Sequence, residues 1–194
     1  MSNNKRLIVC LTGMPGAGKS SVASFLREKG FEVVTMGDVV REEAKRQGLE
    51  PTDINLGKMM LKLRQEYGPG AVGQIVQEKL ARDSRDSNVV IDGIRSIAEV
   101  EVLRKVGHVR LLAIHASQDT RFKHLKERGR SDAPSTGNEF TGRDMRELSV
   151  GVSEAIALAN EMIPNNDLTL DQLKLRAYDI VKEWLTEICK VEKA

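Results

Sequence analysis

Short apolar runs alternate along the chain with longer stretches of helical periodicity. Leu7–Leu11, Val33-Val34-Thr35, Val89-Val90-Ile91 and Val109–His115 read as strands, and Glu161–Pro164 as a last short one. Between them, Ser20–Lys29 carries Val22, Ala23, Phe25 and Leu26 at helical spacing. A charged helix runs from about Asp38 to Arg46 and stops at Gly48. Two more helices lie near Asp53–Tyr67 and Ala71–Ala81, separated by Gly68-Pro69-Gly70, and others near Ile97–Val106 and Asp119–Arg128. The carboxyl-terminal stretch sets Leu173, Ala177, Ile180, Val181, Trp184 and Ile188 on one stripe, a packing helix with Trp184 in the core. Strands apolar along most of their length, with helices between them, predict a parallel sheet covered on both faces. Right-handed crossovers then give a doubly wound α/β sandwich.

Two segments interrupt the alternation. One, from Asp38 to about Asp86, has helical patterns and no strand; the other, Gly129–Gly142, is rich in Gly, Ser, Thr, Asp and Pro. Both emerge at the carboxyl edge of the predicted sheet, where α/β folds bind ligands, which makes them candidate lids.

Composition narrows the classes. The 194 residues suit one α/β domain, and a chain of this length buries enough surface to need no staple. With 30 Lys+Arg against 28 Asp+Glu, and neither a basic arm nor an acidic tail, a dedicated nucleic-acid surface is not expected. Cys10 and Cys189 are far apart without a CxxC, and His108, His115 and His124 lack metal-ligand spacing. The longest early apolar run is too short for a signal segment or a membrane span. A soluble cytoplasmic protein is expected.

The chemistry starts at Gly13-Met14-Pro15-Gly16-Ala17-Gly18-Lys19-Ser20, which fits Gly-x-x-x-x-Gly-Lys-Ser/Thr between a strand and a helix. Glycines let the backbone curl so that consecutive N–H groups face phosphate oxygens, and the following helix adds its positive end. Lys19 is expected to reach the β- and γ-phosphates of ATP, and the Ser20 hydroxyl to sit on Mg2+. Val89-Val90-Ile91-Asp92-Gly93 is an apolar strand ending in an acid, so Asp92 is a second candidate for holding Mg2+, directly or through water. In Gly37-Asp38-Val39-Val40-Arg41, Asp38 and Arg41 share one face of a helix's opening turn. They read either as a cap and a solvated cation, or as a cleft carboxylate and a guanidinium for an acceptor phosphate. Arg121, Arg128, Arg130, Arg143 and Arg146 bracket the second irregular segment. A phosphate-closing lid needs at least one such guanidinium for the charge on the transferred oxygens.

These residues resemble the nucleoside monophosphate kinases, with adenylate kinase and dephospho-CoA kinase nearest by general pattern. More closely, the chain resembles an archaeal family of adenylate-kinase-related P-loop proteins in which GMPGAGK, MGDVVREEA, GPGAV, VIDGIRS, HAS, RGR and RELSVG recur at this spacing, over about residues 5–185. The resemblance implies a three-layer P-loop fold with five parallel strands in the order 2-3-1-4-5. It also implies one domain, 1–194, with a helical acceptor-binding insertion at about 38–86 and a short lid at about 129–142. Gly37, Asp38 and Arg41 match the Gly-Asp-x-x-Arg block that opens the acceptor site in adenylate kinase. Asp92 and Gly93 match the start of the Asp-Gly-hydrophobic-Pro-Arg block; Arg95 comes one residue early and the proline is missing. Met36 replaces the family's threonine. The lid is too short for the long β-lid, and two cysteines do not make a zinc lid. The 159–165 stretch is similar to one in dephospho-CoA kinases whose following loop borders the adenine, which implies the same for Asn165.

The expected function is transfer of the γ-phosphoryl of Mg-ATP to a small nucleotide-like acceptor, an AMP-like one first and dephospho-CoA second. Lys19, Arg128 and Arg130 would act on the transferred group, while Gly37, Asp38, Arg41, Gly93 and Arg95 would bind the acceptor. A nucleotide-gated interaction protein, whose slow ATP hydrolysis switches the 38–86 insertion, is the alternative; a nucleic-acid binder ranks third.

Overall fold

A computed structural model describes residues 6–82, 87–128, 134 and 136–191. Its centre is a strand, β1 (Leu7–Thr12), buried at every position. Successive side chains of a strand point to opposite faces. Ile8 and Cys10 enter one core and Leu7, Val9 and Leu11 the other. The remaining strands are β2 (Glu32–Thr35), β3 (Val89–Ile94), β4 (His108–His115) and β5 (Glu161–Pro164), and the sheet runs β2-β3-β1-β4-β5 with every pair parallel. This is the order expected, and each expected strand is present.

Helix α1 (Lys19–Glu28) follows β1 and packs with α9 (Leu170–Val191) on one face. Trp184 is core, together with Leu173, Ala177 and Val181. On the other face lie α2 (Met36–Arg46), α3 (Asp53–Tyr67), α4 (Ala71–Arg82), α5 (Ile97–Leu103) and the short α8 (Val152–Ala157). Between β4 and α8 lie α6 (Gln118–Arg128) and α7 (Gly137–Ser149). Caps explain two of the starts. Thr52 accepts from the Asn55 amide at 3.2 Å, and Ser96 with Glu99 forms a reciprocal capping box at α5. Glu99 is fully buried, accepts from the Arg95 and Ser96 amides at 2.8 and 3.3 Å, and pairs with Arg64 of α3. Burial drives its carboxyl above the usual range against the pull of Arg64.

Two local expectations change. Helix α2 begins directly out of β2 at Met36, so Asp38 lies in its first turn rather than at its cap. The segment expected to be irregular to Gly142 is helical from Gly137, because the Thr136 hydroxyl accepts from the Glu139 amide at 3.2 Å and starts α7 early. Its buried stripe is Phe140, Asp144 and Glu147, two of them charged, so the hydrophobic pattern that announces a helix is missing.

Candidate functional site

Parallel pairing puts the carboxyl ends of the strands on one edge, and a cleft of about 1010 Å³ opens there. The loop after β1 forms its floor. Gly13 has φ +140°, and a Cβ added there would meet the Ile114 carbonyl oxygen of β4 at 2.1 Å, so only glycine fits. Gly13, Pro15, Gly16, Gly18, Lys19 and Ser20 line the cleft, while the Met14 and Ala17 side chains are buried behind the loop. Lys19 folds back over the loop, its Nζ donating to the Gly13 and Met14 carbonyls at 2.7 and 3.1 Å. Burial lowers its pKa to about 8, with Asp92 opposing the shift and Arg95 adding to it. A cation held this weakly regains charge when an anion arrives beside it.

Asp92 sits at the end of β3, where the register with β1 shifts between Leu11 and Thr12 and Gly93 adopts φ +99°. That irregularity turns the strand end into the cleft, as bulges do beside sites. Asp92 is 6% exposed, and its Oδ1 has no hydrogen-bond partner. A buried carboxylate oxygen left unpaired is costly, and a magnesium ion or its water shell satisfies such a group. With Ser20 on the same cleft, the donor set fits Mg2+, which keeps several waters and takes one or two protein oxygens plus substrate phosphates. Among the described residues no three His, Cys, Asp or Glu side chains gather as a metal cage.

The cleft is also lined by Gly37, Asp38, Arg41, Gly93 and Arg95, together with Leu56, Gly57 and Met60 of α3. Arg41 pairs with Asp38, both about half exposed. Such a pair is worth under about 1 kcal/mol, so a ligand phosphate can take the guanidinium over. Arg95 donates through Nε to Glu147 at 2.5 Å and through Nη1 to the Gly93 carbonyl at 3.1 Å. Burial pushes the Glu147 carboxyl up, and the Arg95 guanidinium more than offsets that, leaving it below the usual range. Arg128, Arg143 and Arg146 also line the cleft, and Arg130 lies outside the described residues. Asn165 lies under the loop, its Nδ2 donating to the Ala17 carbonyl at 2.9 Å.

Most of the described residues singled out from sequence line this one cleft, whereas Met14, Ala17 and Arg121 are buried away from it. Sequence reasoning passed over Glu147, Asp144 and His124. Their partners are 52, 23 and 108 residues away, so no local spacing marks them.

Residues 12–140 match the AAA domain family. A UPF0200 protein of Hyperthermus butylicus is 44% identical over 177 residues, covering 91% of this chain and 94% of the relative. Another UPF0200 protein, of Methanocaldococcus jannaschii, is 40% identical over 188 residues, 96% of this chain and 95% of the relative. The chain belongs to the UPF0200 family. Among solved structures, shikimate kinase from Acinetobacter baumannii in complex with shikimate superposes with a TM-score of 0.59 at 18% identity, over 94% of both chains. A sugar kinase from Janibacter sp. HTCC2649 gives a TM-score of 0.53 at 16% identity, over 91% of this chain and 94% of that one. At such identities the likeness is one of fold, and the UPF0200 chain is a P-loop, kinase-like domain. No helix among the described residues is long and apolar enough to cross a membrane.

Proposed function

We propose that the chain is a phosphotransferase that moves the γ-phosphoryl of Mg-ATP to a small nucleotide-like acceptor. One observation carries this reading: the phosphate loop, the unpartnered Asp92 oxygen and the Arg41 and Arg95 guanidinium groups all face a single continuous cleft. A plain nucleotide switch needs the first two and has no use for two further guanidinium groups on the same cleft.

The loop amides and Lys19 hold the donor phosphates in this reading, and Ser20 and Asp92 hold the magnesium ion, which supplies charge neutralisation at the β- and γ-oxygens. Arg41 and Arg95 orient the acceptor. Arg128 and Arg130 neutralise charge on the transferring oxygens, and Asn165 supports the donor side. The chain acts as one domain, 1–194, with acceptor contacts from the 38–86 insertion; of the lid expected at 129–142, residues 129–133 and 135 lie outside the described residues, and 137–142 belong to α7. Closure excludes water, which otherwise diverts the reaction to hydrolysis. The ATP is cytoplasmic. An AMP-like acceptor ranks first, because the Gly37-Asp38-x-x-Arg41 block lines the cleft, and dephospho-CoA second.

The test is an incubation of the full chain with Mg-ATP and, separately, each nucleoside monophosphate and dephospho-CoA, with products separated by chromatography. A phosphorylated acceptor appearing with stoichiometric ADP is the expected result. Slow hydrolysis that none of them stimulates, and that a protein partner accelerates, replaces this reading with the nucleotide-gated one.

A further inference from the structure

A loop that turns its amides toward a ligand must turn its carbonyls the other way, and those oxygens need donors where they are buried. Five consecutive carbonyls, from Gly13 to Ala17, each accept from a side chain. Lys19 takes the first two and Asn165 the last. The middle two belong to α6: Arg121 Nη1 donates to the Pro15 oxygen at 3.1 Å, and His124 Nδ1 lies 3.0 Å from the Gly16 oxygen. A carbonyl carries no proton, so this contact requires hydrogen on Nδ1.

Arg121 is held hard in place. Its fork meets Asp144 of α7 in two bonds, Nη1–Oδ1 at 2.8 Å and Nη2–Oδ2 at 2.6 Å, and its guanidinium carbon stands 5.0 Å from the centre of the Phe140 ring. Both charged side chains are buried. Bidentate geometry of this kind fixes direction as well as strength. The backbone of α6 also abuts the loop, since a Cβ on Gly16 would meet the Arg121 carbonyl oxygen at 2.5 Å. Three residues apart on one helix, Arg121 and His124 share a face.

We infer that Arg121 and His124 are positioning residues for the donor loop. They keep the Pro15 and Gly16 carbonyls turned outward so that the amides stay aimed at the phosphates, and Asp144 fixes Arg121. A flipped peptide at either position would present an oxygen lone pair to a polyanion. Arg121 does not line the cleft, while His124 does, and inorganic triphosphate, which has no base or sugar to touch, reads the loop contact by itself. The inference rests on the donor half of the proposed function and not on the acceptor.

The test compares His124→Gln, whose amide can still donate to the Gly16 carbonyl, with His124→Leu, which fills similar space and cannot. Mg-ATP and inorganic triphosphate are titrated calorimetrically into each full chain, with thermal melts alongside. The Leu variant is expected to lose about tenfold in affinity for both ligands while melting like the wild type, and the Gln variant to stay within about twofold. Wild-type affinity in the Leu variant, or equal losses in both variants, overturns the inference. Should the Leu variant lose its cooperative melt, Arg121→Lys takes its place. It retains the charge for Asp144 but not the fork for Pro15, and is expected to bind triphosphate about tenfold more weakly; wild-type affinity there overturns the inference. A wild-type chain that binds no Mg-ATP removes the donor reading itself, a result separate from any difference between variants.

Discussion

The Arg95 guanidinium meets the Glu147 carboxylate of α7 at 2.5 Å, tying that helix to the turn that follows the Asp92 strand. The Arg95 side chain is 23% exposed and that of Glu147 11%, so the pair is shielded from solvent far more than Asp38 and Arg41 are.

Glu147→Gln should cost about 1–3 kcal/mol of stability at neutral pH, since it leaves a shielded guanidinium with a neutral partner. The folded-state pKa of Glu147 is lowered, so its contribution is present above the ordinary carboxyl pKa of 4.5 and is lost as pH falls through the folded value. Urea titrations of both proteins across that range should show the gap closing on acidification. A gap that stays constant with pH removes the ion pair as its source.

Lys19 predicts a proton linkage. With a pKa near 8 in the free protein, part of its population is neutral at that pH, and a bound polyphosphate restores the charge. Mg-ATP binding near pH 8 should therefore take up a fraction of a proton, and binding near about pH 6 almost none from this group. Calorimetry in buffers of different ionisation enthalpy measures the uptake, which Lys19→Met should abolish at pH 8. The sign for the unliganded fold runs the other way from a usual lysine pair. The folded pKa of about 8 lies below the ordinary 10.5, so the unfolded chain binds more protons between them and stability rises with pH across that window.

Asp92→Asn keeps the shape of the strand end and removes the charge. Magnesium should then lose about ten- to a hundredfold of its affinity for the ATP complex, while ATP without metal binds at least as well as before. Titrating ATP with and without Mg2+ reads both arms. Equal weakening in both arms counts against a metal role.

Glu99→Ala should be the most damaging of these substitutions to the fold, by about 3–5 kcal/mol, because it strands the buried Arg64 and dismantles the cap of α5. Glu99→Gln keeps part of the hydrogen bonding and should lose less. Its effect on stability also has the opposite pH trend to that of Glu147. The folded pKa is raised, so the stability that Glu99 contributes is greatest below the ordinary carboxyl value and declines as pH rises through the folded one.

What could be read from the chain follows from where each signal is stored. The strands were legible because burial on both faces writes them as unbroken apolar runs such as Leu7–Leu11. The phosphate loop was legible because its eight residues are contiguous and each constraint is local. Helix α7 was hidden because its inward positions are Asp144 and Glu147, which read as surface until the arginines opposite them are known. His124 was set aside for lacking ligand spacing; its partner is a backbone oxygen, which leaves no mark in a sequence.

The placement of β1 bears on how the protein is made. Its neighbours in the sheet, β3 and β4, are translated long after it, as are the α6 side chains and Asn165 that grip the loop. Pairings so distant in sequence form late. A ribosome that has long since finished GMPGAGKS still carries a chain whose loop lacks these partners until residue 165 has been made.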